Sequence, residues 1–322
     1  MRNRRKAWVS IACLAALLGI AAYATYRHDL GIARQRITQG SKLVQTPCGV
    51  IEYAVQGQGP AVLVIHGAGG GYDQGLLMSR SLAAQGYRTI AMSRFGYLRT
   101  PMPPDASPDA QADAHVCLLD ALKVNRVVVF GASAGAPSSL QLAIRHPDRV
   151  AALILLVPAT YLPGANGAGT RVPRGLQIIL DTALRWDFPF WAASHIARST
   201  LIRTMLGTPP ELLESATAED RAQISAMLDA IFPVTGRRAG LINEARVTTT
   251  LQRYPLEQIR APTLLVSAQD DLYGTYERAK YTAAEIPGAR FVGYPTGGHL
   301  LVGHSRDVLT EIGTLLRTAQ VQ

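Results

Sequence analysis

The chain has 322 residues, 48% of them hydrophobic and 17% charged, with a formal net charge of +9. This length and apolar share exclude a disordered or fibrous polypeptide and suffice for one globular α/β domain carrying an insertion. Four of the positive charges, Arg2, Arg4, Arg5 and Lys6, sit at the N-terminus; without residues 1–26 the balance is 28 basic to 23 acidic residues. The remaining Lys and Arg form no run interleaved with aromatics, which argues against nucleic acid as a partner.

From the N-terminus, the basic cluster leads into an uncharged, mostly apolar stretch at residues 7–26. About 20 such residues cross a bilayer, so segment 1–26 reads as a signal-anchor that tethers the chain to the membrane through residues 7–26. The Lys/Arg cluster would stay inside, placing the following domain on the non-cytoplasmic side. Ala22-Tyr23-Ala24 also supplies a small-x-small cleavage site. A cleaved signal peptide, with a secreted or periplasmic product, is therefore the alternative. The polar residues 27–41 read as a linker and residues 42–322 as the globular domain. Cys13 lies in the apolar stretch, and the spacing of Cys48 and Cys117 leaves open whether they pair in an oxidising compartment. No CxxC, HExxH or clustered His/Cys pattern points to a metal.

Two short β-like runs, 42–46 and 50–55, flank Pro47-Cys48-Gly49 and predict a hairpin. Apolar runs follow at 61–65, 88–92, 126–130, 152–157, 263–267 and 290–294, most of them separated by helical patterns. Near-continuous apolar strands alternating with helices predict an α/β fold with a mostly parallel sheet, covered on both faces and joined by right-handed crossovers. The alternation stops between about 161 and 260, where helical stretches at 176–186, 192–206, 210–216 and 219–231 occur without a strand. This predicts a helical cap, 161–260, inserted in the domain. Arg237-Arg238 within it reads as a solvated loop pair.

The strand candidate at 126–130 runs into Gly131-Ala132-Ser133-Ala134-Gly135, with a helical pattern at 138–146. This is G-x-S-x-G in a strand–turn–helix context. Side chains at Gly131 and Gly135 would collide with neighbouring backbone in so tight a turn, and Ser133 is left projecting from the strand's C-terminal end. A serine hydroxyl is a weak nucleophile until a base takes its proton. Of seven histidines, His299 follows the last strand candidate through Pro295-Thr296-Gly297-Gly298 and is selected as the base. His66 opens a glycine loop and reads as a brace for it. An acid is expected after the strand that resumes the pattern, where Asp270 and Asp271 stand side by side; the order Ser, Asp, His along the chain then fits. His66-Gly67-Ala68-Gly69-Gly70-Gly71 offers backbone N–H groups beyond a strand end, and the Ala68 and Ala134 amides are the candidate donors to an oxyanion. The Lys-Ser/Thr of a phosphate loop is absent.

These residues resemble the α/β-hydrolase superfamily over roughly residues 50–316, cap included. The matches are His66-Gly67 with its glycine run, Ser93-Arg94-Phe95-Gly96-Tyr97, Gly131 to Gly135, His146-Pro147-Asp148-Arg149-Val150, the Asp270-Asp271 pair and Gly298-His299. Relatives carry a small residue three positions before the acid and an apolar one two positions after it, so Ala268 and Tyr273 select Asp271, with Asp270 the runner-up. Ser93 departs from an Asp common in relatives, and Leu98 from a common Gly. Dehalogenases and epoxide hydrolases of the superfamily carry Asp at the nucleophile position, so Ser133 implies an acyl-enzyme route. The resemblance implies that His299 deprotonates Ser133, Asp271 orients the imidazole and water releases the acyl group, without a cofactor. The cap residues Trp186, Phe188, Phe190, Trp191, Met205 and Phe232 would then line a pocket for a small apolar ester or acyl substrate. The expected activity is carboxylic-ester hydrolysis of the carboxylesterase or lipase kind. Carbon–carbon bond hydrolysis with the same residues, and non-catalytic binding on a hydrolase fold, are the alternatives.

Overall fold

The computed structural model describes residues 2–165, 182 and 184–321. Its frame is one eight-stranded sheet in the order β1-β2-β4-β3-β5-β6-β7-β8. β1 (Lys42–Thr46) and β2 (Gly49–Gln56) form the expected hairpin, and β2 also runs antiparallel to β4 (Arg88–Met92). β3 (Ala61–Ile65), β4, β5 (Val127–Ala132), β6 (Val150–Leu156), β7 (Thr263–Ala268) and β8 (Arg290–Tyr294) are mutually parallel.

Successive residues of a strand face opposite sides, and the central strands here are apolar on both. Leu63, Ile65, Val127, Val129, Leu153 and Leu265 pack with α4 (Pro108–Ala121), α5 (Ala136–Arg145) and α11 (Thr275–Glu285). Val62, Val64, Val128, Phe130, Ile154 and Val266 pack with α2 (Tyr72–Met78), α3 (Arg80–Ala84) and α12 (Ser305–Thr318). Cys48, in the β1–β2 turn, is disulfide-bonded to Cys117 on α4, their Cα atoms 6.1 Å apart, which staples the sheet's edge hairpin to one helix layer.

Between β6 and β7 lie α6 (Asp187–Ile196), α7 (Arg198–Met205), α8 (Leu212–Ser215), α9 (Ala218–Ala230) and α10 (Arg238–Thr249). The helical stretch expected at 176–186 falls mainly outside the described residues. α10 was not anticipated; its buried residues are Gly240 and Glu244, which meet the segment after β4. Glu244 pairs with the buried Arg94, and Gly240 lies so close to the Tyr97 ring that a Cβ there would overlap it. Arg237 corrects the solvated-loop reading: it is fully buried, donating to Ile231 O at 3.0 Å and to Asp73 Oδ2 at 2.7 Å. Arg237–Asp73 and Arg94–Glu244 thus clamp the cap onto the segments after β3 and β4.

The linker expected at 27–41 is also corrected. α1 is one helix, Arg2–Gln39. From Tyr26 onward it carries a face that has something to pack on: Leu30 and Ala33 join Phe190, Trp191, Ile202 and Phe232 in a cluster inside the cap. Trp191 Nε1 donates to Asp29 Oδ2 at 2.8 Å, Arg36 Nη2 to Phe232 O at 2.6 Å, and Tyr72 Oη to Arg36 O at 2.9 Å. The apolar N-terminal part of α1 buries nothing against the body, and it is long and apolar enough to cross a membrane by length and composition.

Candidate active site

Ser133 follows β5 directly. Its φ of 49° lies in the left-handed region, an uncommon place for a residue with a Cβ and one that costs on the order of 1 kcal/mol or more. The neighbours that force this turn are close. A Cβ on Gly135 would sit 2.6 Å from Ile65 O and 2.8 Å from His66 O, and one on Gly131 would overlap Ser139. A Cβ on Gly67 would lie 3.1 Å from Ser133 Cβ, so the glycine loop after β3 can approach the serine only without a side chain.

His299 arrives on the loop after β8. Its Nδ1 and Asp271 Oδ2 are 2.8 Å apart. Asp271, on the loop after β7, also accepts hydrogen bonds from Tyr273 N at 2.8 Å and from Thr275 Oγ1. Burial pushes the Asp271 carboxyl up, but the adjacent imidazole and these donors outweigh it and hold the group below the usual carboxylate range. Asp270 has a separate partner set. Its oxygens accept from Gly297 N at 3.2 Å and Gly298 N at 2.7 Å, which pins the loop that delivers His299. Tyr273 stands edge-on to the imidazole, ring centroids 4.8 Å apart.

Ser133, His299, Gly67 and Ala68 line one cavity of about 130 Å³, together with apolar Val157, Met205, Leu206, Met227 and Leu301. Of the aromatics and Met205 expected at this cavity, only Met205 is there. Phe190 and Phe232 stack on one another within the cap, centroids 6.5 Å apart, Trp191 packs against α1, and Trp186 and Phe188 face outward. Aromatic residue type signals burial or recognition equally well, and here packing of the inserted helices takes the buried ones.

The backbone around the two candidate donors is braced from behind. A peptide's C=O and N–H point in opposite directions, so holding the carbonyl directs the amide. Gly67 O, in the peptide that carries the Ala68 N–H, receives His66 Nδ1 at 2.7 Å and Arg94 Nη2 at 3.3 Å. Ser133 O, in the peptide that carries the Ala134 N–H, receives Ala159 N at 3.1 Å. His66 accepts Arg94 N at its Nε2 at 3.0 Å, which assigns the Nδ1–H tautomer; burial and the Arg94 charge keep the ring neutral, far below its ordinary pKa. Arg94 reaches Ala134 O at 3.2 Å as well, and its own pKa is lowered by burial to about 10.

Arg94, Glu244 and Thr275 are the site residues that motif reading passed over, while Asp270, the runner-up for the acid, pins the loop instead. Arg94 lay inside the Ser93 to Tyr97 motif, so a signal existed; Glu244 carried none, because its partner is 150 residues away. The unusual Ser93 is accounted for too. Its hydroxyl donates to Glu52 Oε2 at 2.8 Å, so the buried carboxylate comes from β2 instead. Leu98, where relatives have Gly, retains a left-handed φ of 51°.

Comparisons with known proteins agree with this architecture. An uncharacterized hydrolase YcgS of Bacillus subtilis is 38% identical over 108 residues, which is 33% of this chain and only 37% of that relative's length. The 2-hydroxymuconate semialdehyde hydrolase of Pseudomonas putida is 28% identical over 253 residues, 76% of this chain and 82% of its own. Among solved structures, an alpha/beta hydrolase fold protein from Nakamurella multipartita superimposes with a TM-score of 0.72 at 29% identity, covering 87% of this chain and 99% of that one. The alpha/beta hydrolase fold family matches residues 60–303, three-quarters of the length, and the chain belongs to that family.

Proposed function

We propose that this chain hydrolyses carboxylic esters of apolar acyl groups through an acyl-enzyme on Ser133. The observation that carries the reading is the convergence of a left-handed Ser133 and the His299–Asp271 pair on one apolar cavity. His299 Nε2 takes the Ser133 proton as Oγ attacks the ester carbonyl. The tetrahedral oxyanion is met by the Ala68 and Ala134 N–H groups, and the imidazolium returns its proton to the departing alkoxide. Water, deprotonated by His299, then releases the carboxylic acid and regenerates Ser133. Asp271 holds the imidazole in the tautomer that leaves Nε2 free to accept, and no step requires a cofactor.

Carbon–carbon bond hydrolysis is the second reading, favoured by the Pseudomonas putida relative. Against it, no Lys or Arg lines the cavity among the described residues to pair with the carboxylate of an acidic substrate. We further read α1 as a tether that holds the domain on the non-cytoplasmic side, a compartment in which the Cys48–Cys117 bond would persist.

The test is hydrolysis of p-nitrophenyl esters of increasing acyl length, with Ser133→Ala and His299→Ala beside the parent. Activity and organophosphonate labelling lost in Ser133→Ala support the serine route. A parent inactive on every ester but active on a vinylogous diketone moves the function to carbon–carbon cleavage.

A further inference from the structure

Exposed large apolar side chains concentrate on α1 and, within the cap, on α6 and its lead-in, which pack against α1. Trp186 is 68% exposed, Phe188 43% and Ile196 86%, all on α6 or its lead-in. Single exposed hydrophobics are ordinary, but three on one short element call for a neighbour. Residues 7–26 span about 30 Å as a helix, the thickness of a bilayer's hydrocarbon core. A helix that fills that core puts Tyr26 at its boundary. Tyr26 packs edge-on against Phe188, centroids 5.2 Å apart, and against Trp191 at 5.6 Å. The contact therefore sets α6 at headgroup depth, where Trp and Tyr side chains gather. Arg27 and Arg34, exposed on the next two turns of α1, and Arg203 on α7 supply charge of the sign that anionic headgroups attract. α7 packs on α6 and supplies Met205 to the cavity that holds Ser133.

We propose that the Trp186–Phe188–Ile196 surface rests in the headgroup layer of the membrane that holds α1, and that the ester is an amphiphile taken from that membrane. This rests on the reading of α1 as a tether and of Ser133 as the nucleophile. The occupant of the apolar face is the lipid surface itself, because α1 fixes the face's depth and the surrounding basic residues match its charge. A small water-soluble ester would reach the cavity without this surface.

The experiment uses the full chain in vesicles of phosphatidylethanolamine and phosphatidylglycerol. Trp186 emission is taken as the difference between Trp8→Phe and Trp8→Phe/Trp186→Phe chains, with lipids brominated at graded depths as quenchers. Expected is strongest quenching by shallow bromines. In W186S/F188S/I196S, turnover of 4-methylumbelliferyl oleate dissolved in the vesicles should fall about tenfold while p-nitrophenyl butyrate turnover is unchanged. Unquenched Trp186, or a variant that treats both substrates alike, overturns the proposal. A parent chain that fails to float with vesicles removes the tether and the proposal with it. Activity retained in Ser133→Ala removes the substrate half, while the quenching result tests the surface independently of the chemistry.

Discussion

Asp270 and Asp271 are adjacent, yet their partners assign them different jobs, and Asn substitutions should separate those jobs by about three decades in rate. Asp271 Oδ2 holds His299 Nδ1 at 2.8 Å. An Asn there keeps the shape but can present N–H to the imidazole, which favours the tautomer whose Nε2 carries the proton and cannot accept one from Ser133. Such a change lowers kcat by about 10⁴-fold, or about 5.5 kcal/mol of barrier. Asp270 instead accepts from Gly297 N and Gly298 N at 3.2 and 2.7 Å. The Asp270→Asn side chain retains one acceptor and loses the charge, in a half-exposed place where hydrogen bonds to charged groups are discounted. The expected cost is about 1–2 kcal/mol of stability and about tenfold in kcat, through a loosened His299 loop. Steady-state hydrolysis of p-nitrophenyl butyrate and urea denaturation of both variants provide the readouts. Asp270→Asn losing four decades while Asp271→Asn stays near the parent would reverse the assignment; equal losses would refute the division of labour.

Acid should destabilise the fold before the carboxylates titrate. Burial, with Arg94 as the lesser cause, lowers the pKa of His66 strongly and that of His115 to about 3. The unfolded chain therefore binds protons that the native state refuses below about pH 6.5. Stability is full above that pH and falls as pH drops, by about 1.4 kcal/mol per pH unit for each histidine; urea titrations at pH 5, 6 and 7 would show a flat profile if the rings charge in place. Glu244→Gln should cost about 3–5 kcal/mol by leaving Arg94 buried without its counter-charge, and Arg94→Met/Glu244→Leu should recover most of it; a Glu244→Gln loss under 1 kcal/mol in the same assay would remove the clamp. Cys48→Ser/Cys117→Ser should lose about 4 kcal/mol, from a sequence separation of 69 residues. Matching denaturation curves for parent and variant would show that the bridge does not restrain the unfolded chain.

The sheet was readable because its strands are short apolar runs set off by turn residues, and in the central strands burial on both faces leaves little ambiguity of period. Boundaries moved by one or two residues where β5 continues into Gly131-Ala132 and β6 begins at Val150. Chain order and strand ends likewise singled out Ser133, His299 and the 270–271 pair as candidates, and the structure brings the three elements that carry them to one cavity. The misreadings share a cause. Arg237 and the polar segment 27–39 pack through partners distant in sequence, Asp73 and the cap cluster, and Glu244, for which the sequence raised no expectation, is buried in the same way against Arg94. Composition predicts exposure for such residues, and only tertiary contact reverses it. Trp186 and Phe188 fail in the opposite sense, apolar side chains assigned to a pocket that the fold turns outward.

The continuity of α1 bears on how the protein would survive processing. Every residue by which the helix grips the body, from Tyr26 through Asp29, Leu30 and Ala33 to Arg36, lies beyond the small-residue site at Ala24. Proteolysis there would cut a helix in mid-course, yet the stub from Thr25 to Gln39 would keep each of those contacts and its seat on the cap. The folded body would be the same whether tethered or released, and shedding would change only its access to a membrane surface.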